Sequence, residues 1–276
     1  MQVTLEMILI VCPLALLAGF VDSVAGGGGL ISLPAYLLAG LPMPVAAGTN
    51  KLSAALGTTV ASIRYGKAKQ VQWFVAIIAA AGALPGSALG AMLLQAIPEN
   101  TMRIIVIAAI PLVAAIVLRR KDSLVPKQLV PAKYKLFVSF FSGLFIGFYD
   151  GLVGPGTGTF LILLFTLVLG LDAVKSSGTA KIVNLASNIA ALVTLLSPAI
   201  LRFIEMAKVD FSEALNIFLS KGNVLFLLGL PAALFTMAGG YLGSGLTIKC
   251  GAGFIRWMLM AVLALLLAKL IYDVVT

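Results

Sequence analysis

Two aspartates and two lysines carry the chemistry legible in this chain. Asp22 stands in "GFVDSVAGGGGLISLP", Gly19 to Pro34, and Lys51 follows in "GTNK". Asp150 stands in "GFYDGLVGPGTGTFLI", Gly147 to Ile162, and Lys181 follows in "GTAK". All four lie in or beside strongly apolar stretches, where an ionisable side chain is costly and marks a pathway unless it is paired. Two readings stay open. In the plainer one, each aspartate neutralises a lysine and fixes the chain where it turns. In the other, the lysines, together with Thr49, Asn50, Thr179, Asn184 and Asn188, face an anionic substrate. Asp22 and Asp150 are then gate partners or proton carriers. Both readings hold if the pairs open and close during a transport cycle. Each lysine follows a Gly-Thr pair and is expected near the start of a long helix.

The glycines beside the aspartates supply the second element. Glycine permits a tight turn and the close approach of a ligand to the backbone. Backbone left outside helical bonds is costly in lipid and is tolerated only inside protein or beside a wet cavity. A half-helix starting there turns its N–H groups and positive dipole end towards the break, which favours an anion. Gly28 and Gly156 are the positions expected to present backbone to the ligand. Small residues also serve close helix packing in membranes. Short, glycine-broken apolar segments at matching positions in two halves nevertheless point to a secondary-transporter binding site.

Composition sets the class in which these residues act. Of 276 residues, 61% are hydrophobic and 11% charged, against about 25% charged in soluble domains. The expected fold is an all-α polytopic membrane protein in the lipid bilayer of the cell membrane. The net charge of +9 fits basic cytoplasmic loops. A nucleic-acid partner is not expected, because no basic patch is interleaved with aromatics. The chain has no histidine and two isolated cysteines, Cys12 and Cys250, which read as packing residues. No C-x-x-C, G-x-S-x-G, H-E-x-x-H or P-loop pattern occurs, so no enzyme, metal site or cofactor is expected. The first apolar run, preceded by Glu6 and lacking a basic flank, does not read as a cleavable signal.

Apolar segments fall near residues 5–24, 30–39, 45–63, 71–97 and 102–118, then near 136–153, 159–171, 177–196, 224–246 and 254–272. The second and seventh are too short to span a bilayer alone, since a helix needs about 20 residues. Between the sets lies "RRKDSLVPKQLVPAKYK", the most polar stretch. The expected organisation is a first transmembrane repeat at 1–118, a basic cytoplasmic linker at 119–135 and a second repeat at 136–276. "GFVD" and "GFYD" lie 128 residues apart and "GTNK" and "GTAK" 130, whereas Trp73 and Phe226, Gly90 and Gly243, and Arg103 and Arg256 lie 153 apart. The jump places an insertion near residues 197–221, which reads as an amphipathic helix at the membrane interface, with capping-box spacing at Asp210 and Glu213. The halves are expected to be inverted, each with five segments, and both termini outside. The alternative is eight spans in parallel halves, with the short segments re-entrant.

"GFVDSVAGGGGLISLP" followed by "GTNKLSAALGTTVASIRY" resembles the first-half signature of the sulfite exporter TauE/SafE family, also called the toluene-sulfonate uptake permease family. "GFYDGLVGPGTGTF" and "SGTAKIVNLASNIAAL" resemble its second-half signature. The resemblance runs from about residue 15 to 272, and Asp22, Gly26, Gly28, Asn50, Lys51, Asp150, Gly154, Lys181 and Asn188 fit its pattern. It implies a transporter of a small anion, often sulfur-containing, such as sulfite, a sulfonate or a sulfoacetate-like compound. A proton or sodium ion is the candidate coupling partner, and no oligomeric state is implied. An anion channel, or a carrier of a carboxylate, is the alternative.

Overall fold

The computed structural model describes residues 3–98, 100–101, 105, 126, 129–220, 222–258 and 260–261. Among these the architecture is all-α: α1 (Leu5–Ala25), α2 (Gly29–Leu38), α3 (Met43–Lys67), α4 (Trp73–Ala96), α5 (Lys135–Leu152), α6 (Thr157–Leu167), α7 (Ala173–Met206), α8 (Phe211–Ser220) and α9 (Phe226–Cys250). Most of the expected segments at 102–118 and 254–272 and most of the basic linker at 119–135 lie outside the described residues.

Length and composition let α1, α4, α7 and α9, and α5 with the short turn before it, cross a membrane. The helices α2 and α6 have 10 and 11 residues. At about 1.5 Å per residue they reach roughly half of a hydrocarbon core about 30 Å thick. The 25-residue α3 is long enough but more polar. Lys51, Ser53, Thr58 and Ser62 lie on its buried surface, so its polarity faces protein rather than lipid.

Local signals set the helix starts. Thr4 caps α1 by accepting the Met7 N–H at 3.4 Å. Asp172 caps α7 by accepting the Lys175 N–H at 2.9 Å. Pro42 precedes α3, and its fixed φ suits a helix entry. The starts of α3 and α7 lie upstream of the expected ones. Lys51 and Lys181 therefore sit in the third turn of α3 and α7, not at their first residues.

Glycine stripes set the packing. A methyl group at Gly82, Gly86 or Gly90 of α4 would overlap the carbonyls of Phe140, Leu144 or Phe148 of α5. Gly143, Gly147 and Gly151 return the contact against Ala79, Ala83 and Ser87. Both series advance by one turn in the same direction, so α4 and α5 run parallel at close approach. Gly239 and Gly243 of α9 pack the same way on Leu16 and Phe20 of α1. By contrast, Lys51 meets Asn188 while Tyr65 lies beside Gly178, so α3 and α7 run antiparallel. The recurrence reaches the helix starts. Gly29 and Thr157 begin short helices 128 residues apart, Met43 and Ala173 long ones 130 apart, and Trp73 and Phe226 the next pair 153 apart.

The 197–221 insert departs from a single interfacial helix. Its first ten residues continue α7 to Met206, and only Phe211–Ser220 forms a separate helix. Pro198 lies inside α7 and cannot donate to the Thr194 carbonyl, a loss that ordinarily breaks a helix. That carbonyl instead accepts Ser197 Oγ at 2.8 Å and Gln95 Nε2 at 3.5 Å. Asp210 accepts the Glu213 N–H at 3.0 Å and starts α8. The helix α8 folds back so that Phe211 and Phe218 meet Phe203, with ring centroids 5.8 and 5.5 Å apart.

Candidate functional site between two helix breaks

The two glycine-rich breaks meet. Gly26, with φ +77°, ends α1, and a methyl group there would overlap the backbone of Gly158 in the first turn of α6. Gly29, at the start of α2, faces Pro155 of the second break. Each break leaves carbonyls without helical partners, and side chains supply them, as an apolar setting demands. Tyr65 Oη donates to Ser23 O at 2.8 Å, Ser177 Oγ to Val24 O at 3.3 Å and Thr159 Oγ1 to Ala25 O at 2.7 Å. At the second break Tyr149 Oη donates to Pro155 O at 2.6 Å and Thr157 Oγ1 to Gly154 O at 2.7 Å.

The charged residues pair across the halves. Lys51 Nζ lies 2.8 Å from Asp150 Oδ2 and donates to Asn188 Oδ1 at 3.1 Å. Asp150 also accepts Thr157 Oγ1 at 2.9 Å and Ser187 Oγ at 2.5 Å. Lys181 Nζ lies 2.7 Å from Asp22 Oδ2. Lys181 is fully buried, whereas the Asp22 side chain keeps 20% of its surface exposed. A buried ion pair gains little over an apolar pair of the same volume, but removing one partner strands a buried charge at a cost of about 3–5 kcal/mol. Such pairs hold the breaks together and remain open to competition from a third charge.

A cavity of about 40 Å³ lies between the breaks. Asp22, Asn50, Lys51, Asp150, Asn184 and Asn188 line it, and Gly28 and Gly29 bring the start of α2 to its wall. This is room for a few waters, at roughly 10–15 Å³ each. Asn188 Nδ2 donates to Asn184 Oδ1 at 3.4 Å. The buried Oδ1 of Asn50 has no hydrogen-bond partner among the described residues. A cation, amide groups and the positive end of a half-helix thus share one small polar space.

Other expected site residues lie elsewhere. Thr49 and Thr179 do not line the cavity; each closes a clasp. Thr49 Oγ1 accepts the Leu225 N–H at 2.9 Å, and Thr179 Oγ1 accepts the Gln72 N–H at 3.0 Å. Next to them, Gly48 admits the Asn223 carbonyl and Gly178 the Gln70 carbonyl, where a methyl group would overlap either. Because α3 and α7 are antiparallel, the two clasps sit at opposite ends of the assembly. Gly156 caps α6 at φ +83° and lies outside the cavity wall, as does Lys181, which stands behind Asp22. The sequence reading passed over Thr157, which also lines the cavity, and Ser187, the other hydroxyl holding Asp150. Thr157 follows the glycine turn that marks the break, a signal that was available; Ser187 looks like any small helix residue.

The sulfite exporter TauE/SafE family matches residues 11–270. A probable membrane transporter protein of Haemophilus influenzae is 31% identical over 280 residues, covering 99% of this chain and 98% of that protein. The probable membrane transporter protein ORF9 of a Sinorhizobium species is 32% identical, covering 94% and 90%. The probable membrane transporter protein YfcA of Escherichia coli K12 is 32% identical, covering 94% and 87%. No solved structure matches.

Proposed function

The chain belongs to the sulfite exporter TauE/SafE family and is a membrane transporter, and we propose that it is a secondary carrier moving a small anion through the cavity between the helix breaks. The observation that carries this is Lys51, Asn184 and Asn188 facing the start of α2 across a small polar cavity. The family's description as sulfite exporters favours a sulfur oxyanion. A carboxylate of similar size would meet the same donors. The anion competes with Asp150 for Lys51, and Asp22 is the group through which a coupling proton acts.

Alternating access requires that the site open to one side at a time. The matched clasps are where we place the two gates: Gly48–Thr49 on Asn223–Leu225, and Gly178–Thr179 on Gln70–Gln72. The antiparallel course of α3 and α7 supports two inverted repeats, divided near residues 118 and 136. Charge supports an orientation. The end bearing the Gln70 clasp carries Arg64, Lys67, Lys69, Lys133, Lys135, Lys175 and Lys249 with Asp172. The opposite end carries Arg202 and Lys208 with Glu6, Glu205, Asp210 and Glu213. The basic end is cytoplasmic by the positive-inside rule, and the membrane is then the cell membrane. Two matched clasps at opposite ends of α3 and α7 favour a carrier over a channel.

Reconstitution tests the reading. Liposomes holding the protein should show saturable sulfite counterflow. Lys51→Ala should weaken sulfite binding by about 1.5–3 kcal/mol, the range for a hydrogen bond to a charged group. Unitary currents in place of counterflow would establish a channel, and unchanged affinity in Lys51→Ala would remove this lysine from the site. Asp22→Asn should flatten the pH dependence of transport; a wild-type profile would leave Asp22 a structural turn-former.

A further inference from the structure

A second cavity lies outside the central site, and the insert builds it. It measures about 280 Å³, against about 40 Å³ at the centre. The extended part of α7 supplies Arg202, Phe203 and Met206 to its wall, and α8 supplies Phe218. Gln95 and Asn223 add two amide groups. Phe218 is held in turn by Phe226 at the start of α9, with ring centroids 5.2 Å apart, so the aromatic wall is anchored on three helices.

The lining has a chemical direction. Among the described residues no carboxylate lies within ion-pair distance of the Arg202 guanidinium. A guanidinium offers a planar fork of donors suited to a carboxylate, sulfonate or phosphate. Phe203, Met206 and Phe218 add aromatic and thioether surface to the lining, and cavities of about 150 Å³ already hold benzene. Asn223 links this space to the route. Its side chain donates to Gln95 Oε1 at 3.3 Å and to Leu195 O at 3.5 Å, while its carbonyl closes on Gly48. We propose that this cavity is a second, peripheral site for an oxyanion carried on an apolar body, and that its occupancy biases the Asn223 clasp. The position of that clasp on the transport route rests on the carrier reading above; the binding site itself does not. The central cavity, at about 40 Å³, is too small for such a body, so the two sites select different anions.

Benzoate and sulfite separate them. The full chain in phosphatidylcholine nanodiscs is titrated with each by calorimetry. Arg202→Gln should weaken benzoate binding about tenfold, the loss of one charged hydrogen bond, while sulfite affinity stays unchanged. Arg202→Lys should keep part of the benzoate affinity. Lys51→Ala should weaken sulfite and spare benzoate. Arg202 is exposed, so its variants should unfold at the wild-type temperature. A free organic anion keeps its affinity in nanodiscs enriched in phosphatidylglycerol; competition there identifies the lipid headgroup as the natural occupant of the same site. Unchanged benzoate binding in Arg202→Gln, or its loss in Lys51→Ala protein that still unfolds cooperatively, overturns the proposal. Loss of the sulfite effect alone would count against the central site and leave this one standing.

Discussion

The Lys51–Asp150 and Lys181–Asp22 pairs arise from matching sequence positions, yet they are held differently. Asp150 is almost sealed, with 4% of its side chain exposed, and takes Lys51, Thr157 and Ser187 as donors. Asp22 keeps 20% exposed and takes Lys181. At the offsets of 128 and 130 residues, the positions matching Thr157 and Ser187 are Gly29 and Gly57. Both hydroxyls that fix Asp150 are therefore missing around Asp22. Neither glycine can be replaced freely, since a methyl group at Gly57 would overlap Thr236 and one at Gly29 would crowd Pro155. One aspartate is locked by two hydroxyls and a lysine, and the other is held by a lysine alone. A pair of identical charges can thus acquire two roles through the neutral residues around it.

The largest expected effect tests this difference directly. Asp150→Asn leaves the buried Lys51 without its counter-ion and should lower stability by about 3–5 kcal/mol. Asp22→Asn also strands a fully buried lysine, Lys181, but weakens no hydroxyl bond to the carboxylate, so it should cost about 1.5 kcal/mol less. Thermal unfolding of both variants in one detergent measures the contrast, and equal losses would break it. A smaller effect sharpens it. Ser187→Ala removes one donor from Asp150 without touching Lys51 and should cost about 1.5 kcal/mol, the lower end for a hydrogen bond to a charge. If stability does not change, the hydroxyls are not what distinguishes the pairs. The smallest effect concerns a feature the halves share. Thr49→Ala and Thr179→Ala each remove one neutral clasp bond, worth about 1 kcal/mol, and should cost similar amounts. A loss at only one of them would show that the clasps are not equivalent.

Much of this arrangement was legible in the sequence because broken helices leave strong marks. The glycine runs, the two Gly-Phe-x-Asp motifs and their offsets located α2, α6 and the breaks before any coordinates. Lys51, Asp150, Asn184 and Asn188 were singled out together and do converge on one cavity. The crossing of the pairs was not legible, because spacing along a chain cannot say which half supplies a partner. Thr49 and Thr179 read as ligand-facing because they precede the lysines, but two residues along a helix turn a side chain by about 200°, towards the neighbouring loop. The continuation of α7 through Pro198 was hidden for a similar reason. One of the two donors that rescue the Thr194 carbonyl comes from Gln95, about a hundred positions away.

The stripe of Gly82, Gly86 and Gly90 on α4 has a consequence for how the protein is made. Those glycines fit only α5, which belongs to the other half, and α9 likewise finds its parallel neighbour in α1. The first half therefore leaves the ribosome with an open flank and with Lys51 and Asp22 still lacking their counter-ions. Its native contacts are complete only once α5, α7 and α9 have followed. Biogenesis of this chain is in that sense a delayed assembly of two subunits that happen to share one polypeptide.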